Sequence, residues 1–146
     1  MANGLIKDDL KNFLDEKYQE YNNVKFIEDD PIQIPHLFTN HKDIEIAGFL
    51  TSIISWGNRK SIINNAKKMM NLLDNSPYDF IKNCKDSEIK KLEFVHRTFN
   101  SIDFRFFLHS LKNIYTQNES MEDVFLDNNS NFMFDGIINF RKIFFS

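Results

Sequence analysis

The chain has 146 residues, about one domain's worth and enough to bury a core of its own. A hydrophobic share of 42% and a charged share of 27% exclude a disordered chain, and a net charge of −3 with pI about 5.8 gives no global sign of a nucleic-acid binder. One cysteine, Cys84, excludes an internal disulfide and reads as a small buried apolar residue.

The start, Met1-Ala-Asn-Gly-Leu-Ile-Lys-Asp8, lacks the apolar core of a signal peptide, so a cytoplasmic location is the default. Only four glycines and three prolines against sixteen phenylalanines argue for long helices and a ring-rich core, an all-α chain. Charge is uneven along it. Residues 1–30 carry four lysines against eight acids, whereas residues 57–73 carry Arg59, Lys60, Lys67 and Lys68 and no acid. Such a run is a solvated helix face or a local phosphate-binding stripe.

In chain order, Leu5, Ile6, Leu10, Phe13, Leu14, Tyr18 and Tyr21 recur at helical spacing and predict an amphipathic helix over 4–21. Its stripe is expected to cover one side of the central helix. Residues 22–41 read as an irregular connection, in which Pro31 and Pro35 bias Asp30 and Ile34 away from helical dihedrals and leave 29–36 extended. His36 and His41 lie there near Asp29 and Asp30, without the spacing of a metal motif, and read as loop polars; no metal and no cofactor are expected.

The stretch Asp43-Ile-Glu-Ile-Ala-Gly-Phe-Leu-Thr-Ser-Ile-Ile-Ser-Trp56 has almost no polar face. It is too short for a membrane span and carries Glu45, so it predicts a central buried helix over about 43–56. Asn40 is a suitable cap before it. Gly57 ends it, and Asn58 caps a following helix whose stripe is Ile62, Ile63, Ala66, Met69, Met70 and Leu73. Asp74-Asn75 stops that helix. Ser76-Pro77 starts a short one, and Asp86 caps another over Ser87–Phe94.

Val95-His96-Arg97-Thr98-Phe99-Asn100 is a polar knot between apolar neighbours. Arg97 either meets phosphate or pairs with a carboxylate such as Asp43 or Asp103. Asn100 or Ser101 caps the next helix, which buries Phe104, Phe107, Leu108, Leu111, Ile114 and Tyr115. Ser120 and Asp123 form a capping box, residues 127–131 a loop, and Phe132–Phe145 a final apolar helix. The last residues, Ile143-Phe144-Phe145, fit either a helix packed hard onto the core or the front part of a longer protein.

Three segments carry a resemblance: Asp30-Pro-Ile-Gln-Ile-Pro-His36, Asp43 through Ser55-Trp-Gly-Asn-Arg-Lys-Ser61, and Phe94-Val-His-Arg-Thr-Phe-Asn100. In this order and register they resemble an uncharacterised bacterial family of conserved hypothetical proteins, best known from Bacteroidetes, whose members are longer. That resemblance implies a missing C-terminal part as a partner of this one.

More distantly, the central helix, its corner and the next helix resemble the opening of helix-hairpin-helix DNA glycosylases. There an apolar helix runs into a polar corner that enters DNA beside the target base. The resemblance implies Trp56 as wedge or stacking group, Asn58 as hydrogen-bonding group and Arg59 and Lys60 as phosphate contacts, with Gly57 at the bend. No Gly-x-Gly hairpin, catalytic Asp or iron–sulfur cysteine set accompanies it, so the chain as it stands is not expected to excise bases.

Together these readings predict one all-α domain over 1–146, of six to seven helices around residues 43–56. Two function classes stand. One is a DNA-repair-like nucleic-acid surface made by Trp56, Gly57, Asn58, Arg59, Lys60, His96 and Arg97. The other is a non-enzymatic helical interaction domain. No membrane association is expected.

Overall fold

A computed structural model describes residues 2–126 and 133–146, with side chains from residue 7 onward. The class is all-α: nine α-helices and two 3-10 turns, with no strand among the described residues. The helices are α1 (Ala2–Tyr21), α2 (Val24–Glu28), α3 (His41–Ile54), α4 (Arg59–Leu72), α5 (Pro77–Asn83), α6 (Asp86–Ile89), α7 (Ser101–Gln117), α8 (Met121–Phe125) and α9 (Met133–Phe144). The count exceeds the six to seven expected; α2, which lies within the stretch read as an irregular connection, is one of the additional short helices. The predicted loop at 127–131 and the residue Phe132 lie outside the described residues.

Helix α3 is central, as its composition requires. Ile46, Ala47, Leu50 and Ile54 are fully buried, packed with Ile62, Ala66, Met69 and Met70 of α4 and Phe104, Leu108, Leu111 and Ile114 of α7. Phenylalanines close the far side: Phe49 packs edge-on against Phe140 and Phe144, and Phe125 stacks on Phe140 at 4.6 Å.

The caps are local. Asn40 Oδ1 accepts from Lys42 N–H at 2.9 Å and Asn58 Oδ1 from Ser61 N–H at 3.1 Å. Asn100 with Asp103, and Ser120 with Asp123, make reciprocal boxes.

Helix α5 is capped differently from the expectation. Ser76 makes no side-chain cap; Asp43 of α3 reaches across and accepts from Tyr78 N–H at 2.8 Å. Nor does Asp86 cap a helix over Ser87–Phe94. Asp86 is itself the first residue of a shorter α6, and Glu88 Oε2 accepts from Lys85 N–H at 2.7 Å.

Three further expectations are corrected. Residues 29–36 are not extended: Pro31–Gln33 and Pro35–Leu37 are 3-10 turns, each opened by proline. Asp30 does have extended ψ 148, but Ile34 sits at φ −67, ψ −54, because its wholly buried side chain outweighs the bias of the proline after it.

The α1 stripe does not cover α3: Leu10, Phe13, Leu14, Tyr18 and Tyr21 are all half exposed or more. The flanks of α3 are already taken by the 3-10 turns, α4 and α5. The polar side of α1 carries pairs of its own, such as Lys11 to Asp15 at 2.6 Å.

Finally, α3 runs His41–Ile54, not 43–56. Ser55 ends it by donating its hydroxyl to Thr51 O at 2.7 Å, and Trp56 lies beyond the helix. No helix among the described residues is long and apolar enough to cross a membrane.

Candidate functional site at the α3–α4 corner

Four residues turn α3 into α4. Trp56 N–H donates back to Ile54 O at 2.8 Å, Gly57 takes φ 106, and Asn58 caps α4. The positive φ at Gly57 is a conformation that a side chain resists. With the chain thrown outward here, the Trp56 indole stays 44% exposed.

The second polar knot meets this corner. His96 N–H donates to Phe99 O at 2.8 Å and Phe99 N–H to His96 O at 3.0 Å, which makes a tight reversal with Arg97 at φ 57. Buried Phe94 and Phe99 anchor the reversal, and Ser101 Oγ bonds both the N–H and the carbonyl of Phe94.

Arg97 therefore projects onto the corner. Its guanidinium carbon lies 4.5 Å from the Trp56 ring centroid, and Nη1 donates to Trp56 O at 3.2 Å. Neither proposed carboxylate pairs with it. Asp43 caps α5 and Asp103 caps its own helix.

His96 approaches Trp56 edge-on, at 6.4 Å between ring centres. It is only 4% exposed, with Nε2 unpartnered, so it stands beneath the surface rather than on it. Of the seven residues singled out in the sequence, Trp56, Gly57 and Arg97 form one contact group with His96 behind it. Asn58 is spent on the cap.

Arg59 turns the other way. Its side chain is 61% exposed, 3.8 Å from Asp30 Oδ2 and 5.8 Å from the Phe26 ring. Lys60 and Lys67 line a shallow groove whose opposite wall carries Glu28 and Asp29. Part of the acid-free run of the sequence thus shares a groove with the last residue of α2 and the acid that follows it, which no local pattern could show.

Between the 3-10 turns, α3 and α4 lies a cleft of about 490 Å³. Asp30, Thr51, Ser52, Ser55 and Arg59 supply its polar groups, and Pro31, Ile32, Pro35 and Ile62 its apolar walls. Thr51 is 3% exposed and its Oγ1 has no partner.

A separate group could hold a cation: ligand atoms of His41, Glu45 and Glu122 lie within 4.8 Å of one another. The i, i+4 spacing of His41 and Glu45 was visible in the sequence; Glu122 was not. Much of Glu45 is already committed, since its Oε2 accepts from Tyr115 Oη at 2.8 Å and Met121 N–H at 3.0 Å.

The remaining chemistry is sparse. Cys84 is buried, and that burial pushes its thiol above the usual range. It is a structural residue rather than a nucleophile.

The family model described as "Protein of unknown function (DUF2400)" matches residues 30–146. The chain belongs to this family. Within the DUF2400 match lie the 3-10 turns, the cleft, the corner and the Arg97 reversal; α1 and α2 precede it. No curated protein and no solved structure matches the chain.

Proposed function

We propose that the α3–α4 corner of this DUF2400 protein is a nucleic-acid contact, with Trp56 as the stacking group. The observation that carries it is the half-exposed indole with the Arg97 guanidinium laid on it. An aromatic face backed by a cation receives an unstacked base on one side and a phosphate on the other. Lys60, in the first turn of α4, adds exposed positive charge, although Glu28 and Asp29 line the same groove. The distant resemblance to helix-hairpin-helix DNA glycosylases points to the same corner. The proposed role is binding.

Labelled single-stranded and duplex DNA, titrated at low and raised salt, tests the proposal. Binding that weakens with salt, and weakens further by about 1–3 kcal/mol in Trp56→Ala, supports it. No affinity for either form at low salt removes it.

A second reading rests on α1, where Leu10, Phe13, Leu14, Tyr18 and Tyr21 make an exposed apolar stripe. Such a stripe suits a helical protein partner. A monomeric mass by light scattering with no binding of an apolar-surface dye argues against that role.

A further inference from the structure

The cleft between the 3-10 turns, α3 and α4 is richer in acceptors than in donors. Ser52 Oγ donates to Phe49 O and Ser55 Oγ to Thr51 O, each at 2.7 Å. A carbonyl oxygen only accepts, so both hydroxyl protons are spent and these oxygens offer the cleft lone pairs alone. Asp30 adds its Oδ2, while its other oxygen, Oδ1, is held by Ile32 N–H at 3.0 Å. Three acceptors thus line the cleft with one charged donor, Arg59, whose side chain is 61% exposed.

A protonated primary amine answers such a set, because it carries three N–H bonds and a full charge. The exocyclic amine of a nucleobase brings two N–H bonds and no charge, and a lactam edge brings one. Asp30 Oδ2 also lies 3.8 Å from Arg59 Nη2, so an amine seated on Asp30 has a guanidinium beside it. A lone cation is repelled there. A carboxylate attached close to the amine turns that repulsion into a second ion pair.

In an α-amino acid the nitrogen and the carboxyl carbon are about 2.5 Å apart, which suits the short spacing of the Asp30–Arg59 pair. Pro31, Ile32, Pro35 and Ile62 give apolar walls for its side chain. Thr51, 3% exposed, lines the same cleft, and its hydroxyl, unpartnered among the described residues, is a donor for the second carboxylate oxygen. At about 490 Å³ the volume falls in the range of small-ligand sites.

We propose that this cleft binds a free α-amino acid with an apolar side chain, its ammonium on Asp30, Ser52 and Ser55 and its carboxylate on Arg59. A peptide does not replace this ligand: an internal residue has neither backbone charge, and a terminal residue has only one of the two. The site goes beyond the nucleic-acid reading of the corner and does not depend on it.

Isothermal titration calorimetry of the full chain with L-leucine tests the proposal. Two analogues each lack one charge: isoamylamine has no carboxylate and isocaproate no ammonium. Leucine is expected to bind, and each analogue at least about tenfold more weakly, the worth of one charged hydrogen-bonded contact. In Arg59→Gln the gap between leucine and isoamylamine is expected to close. In Asp30→Asn, which keeps the Oδ1 cap, the gap between leucine and isocaproate is expected to close. Thermal unfolding checks that both variants are folded; if either is not, the analogue series on the wild type decides alone.

No heat from leucine at millimolar concentration, an analogue that binds as tightly as leucine, or a gap that persists in its folded variant overturns the proposal. Cytidine or thymidine binding more tightly than leucine also overturns it, since the Asp30–Arg59 pair would then be reading a base edge. The DNA titrations that test the corner are unaffected by either result.

Discussion

Arg97 donates from Nη1 to the carbonyl oxygen of Trp56, 41 residues earlier, while its guanidinium lies over the indole of the same residue. One side chain thus holds both the backbone and the ring at the end of α3. Arg97 does this from a left-handed backbone at φ 57, where a non-glycine residue carries strain.

Two substitutions separate contact from strain. Arg97→Ala keeps the strained backbone and loses the stack and the bond, so it is expected to destabilise by about 1–2 kcal/mol. Arg97→Gly loses the same contacts but relieves the strain, by about 1 kcal/mol, and is expected to fall near wild type. Both are expected to shift Trp56 emission to the red. Denaturant midpoints and fluorescence check the pair; equal losses in both would show that φ 57 carries no cost.

Gly57 is needed twice. Its φ of 106 is unfavourable for any other residue, and a Cβ there would fall on the Arg97 guanidinium. The guanidinium is a flexible end and moves aside, so the main cost is the backbone. Gly57→Ala is expected to cost about 1–3 kcal/mol and to release the Trp56 ring from Arg97. Thermal unfolding with Trp56 fluorescence reads both effects; an unshifted emission would contradict the second.

Gly136 sets how closely α9 approaches α8. A Cβ at this position would run into the Phe125 carbonyl, which is backbone and has nowhere to go. Gly136→Ala is expected to destabilise by about 1–3 kcal/mol despite the better helix propensity of alanine. Stabilisation on this substitution, measured by denaturant unfolding, would contradict the close packing.

Tyr115 links α7 to α3 through its bond to Glu45. Burial first, and then the Glu45 carboxylate, raises its phenol well above the ordinary value of 10.0. A raised folded value means stability that is complete below about 10 and lost as the pH rises from there, because the unfolded chain ionises first. Tyr78 works the other way, its phenol lowered by Lys42. The informative quantity is therefore the difference between wild type and Tyr115→Phe. Tyr115→Phe is expected to be less stable near neutrality, where Glu45 loses its donor, and to show a shallower decline above pH 10. Parallel curves would remove the argument.

Much of the helical framework was legible in residue order. The α4 stripe from Ile62 to Leu73 repeats every three or four residues, and all but Ile63 are buried. The Asx and Ser caps at Asn40, Asn58, Asn100 and Ser120 act on N–H groups two or three residues on. What misled was competition between local and distant terms. Pro35 argued for an extended Ile34, and burial of Ile34 prevailed. The α1 stripe argued for a place on α3, and the flanks of α3 were occupied.

Residue order by itself determined that this protein is all-α, that its most apolar stretch is central and that a tryptophan and a glycine interrupt it. Those properties depend on periodicity and on capping bonds within a few residues. Only the tertiary structure decided that Arg97 lies on Trp56, that Arg59 faces Asp30 and that Glu45 anchors Tyr115. Those pairs join residues from separate helices and turns, and their geometry depends on how the side chains of α3 seat against each neighbour, which no short window of sequence contains.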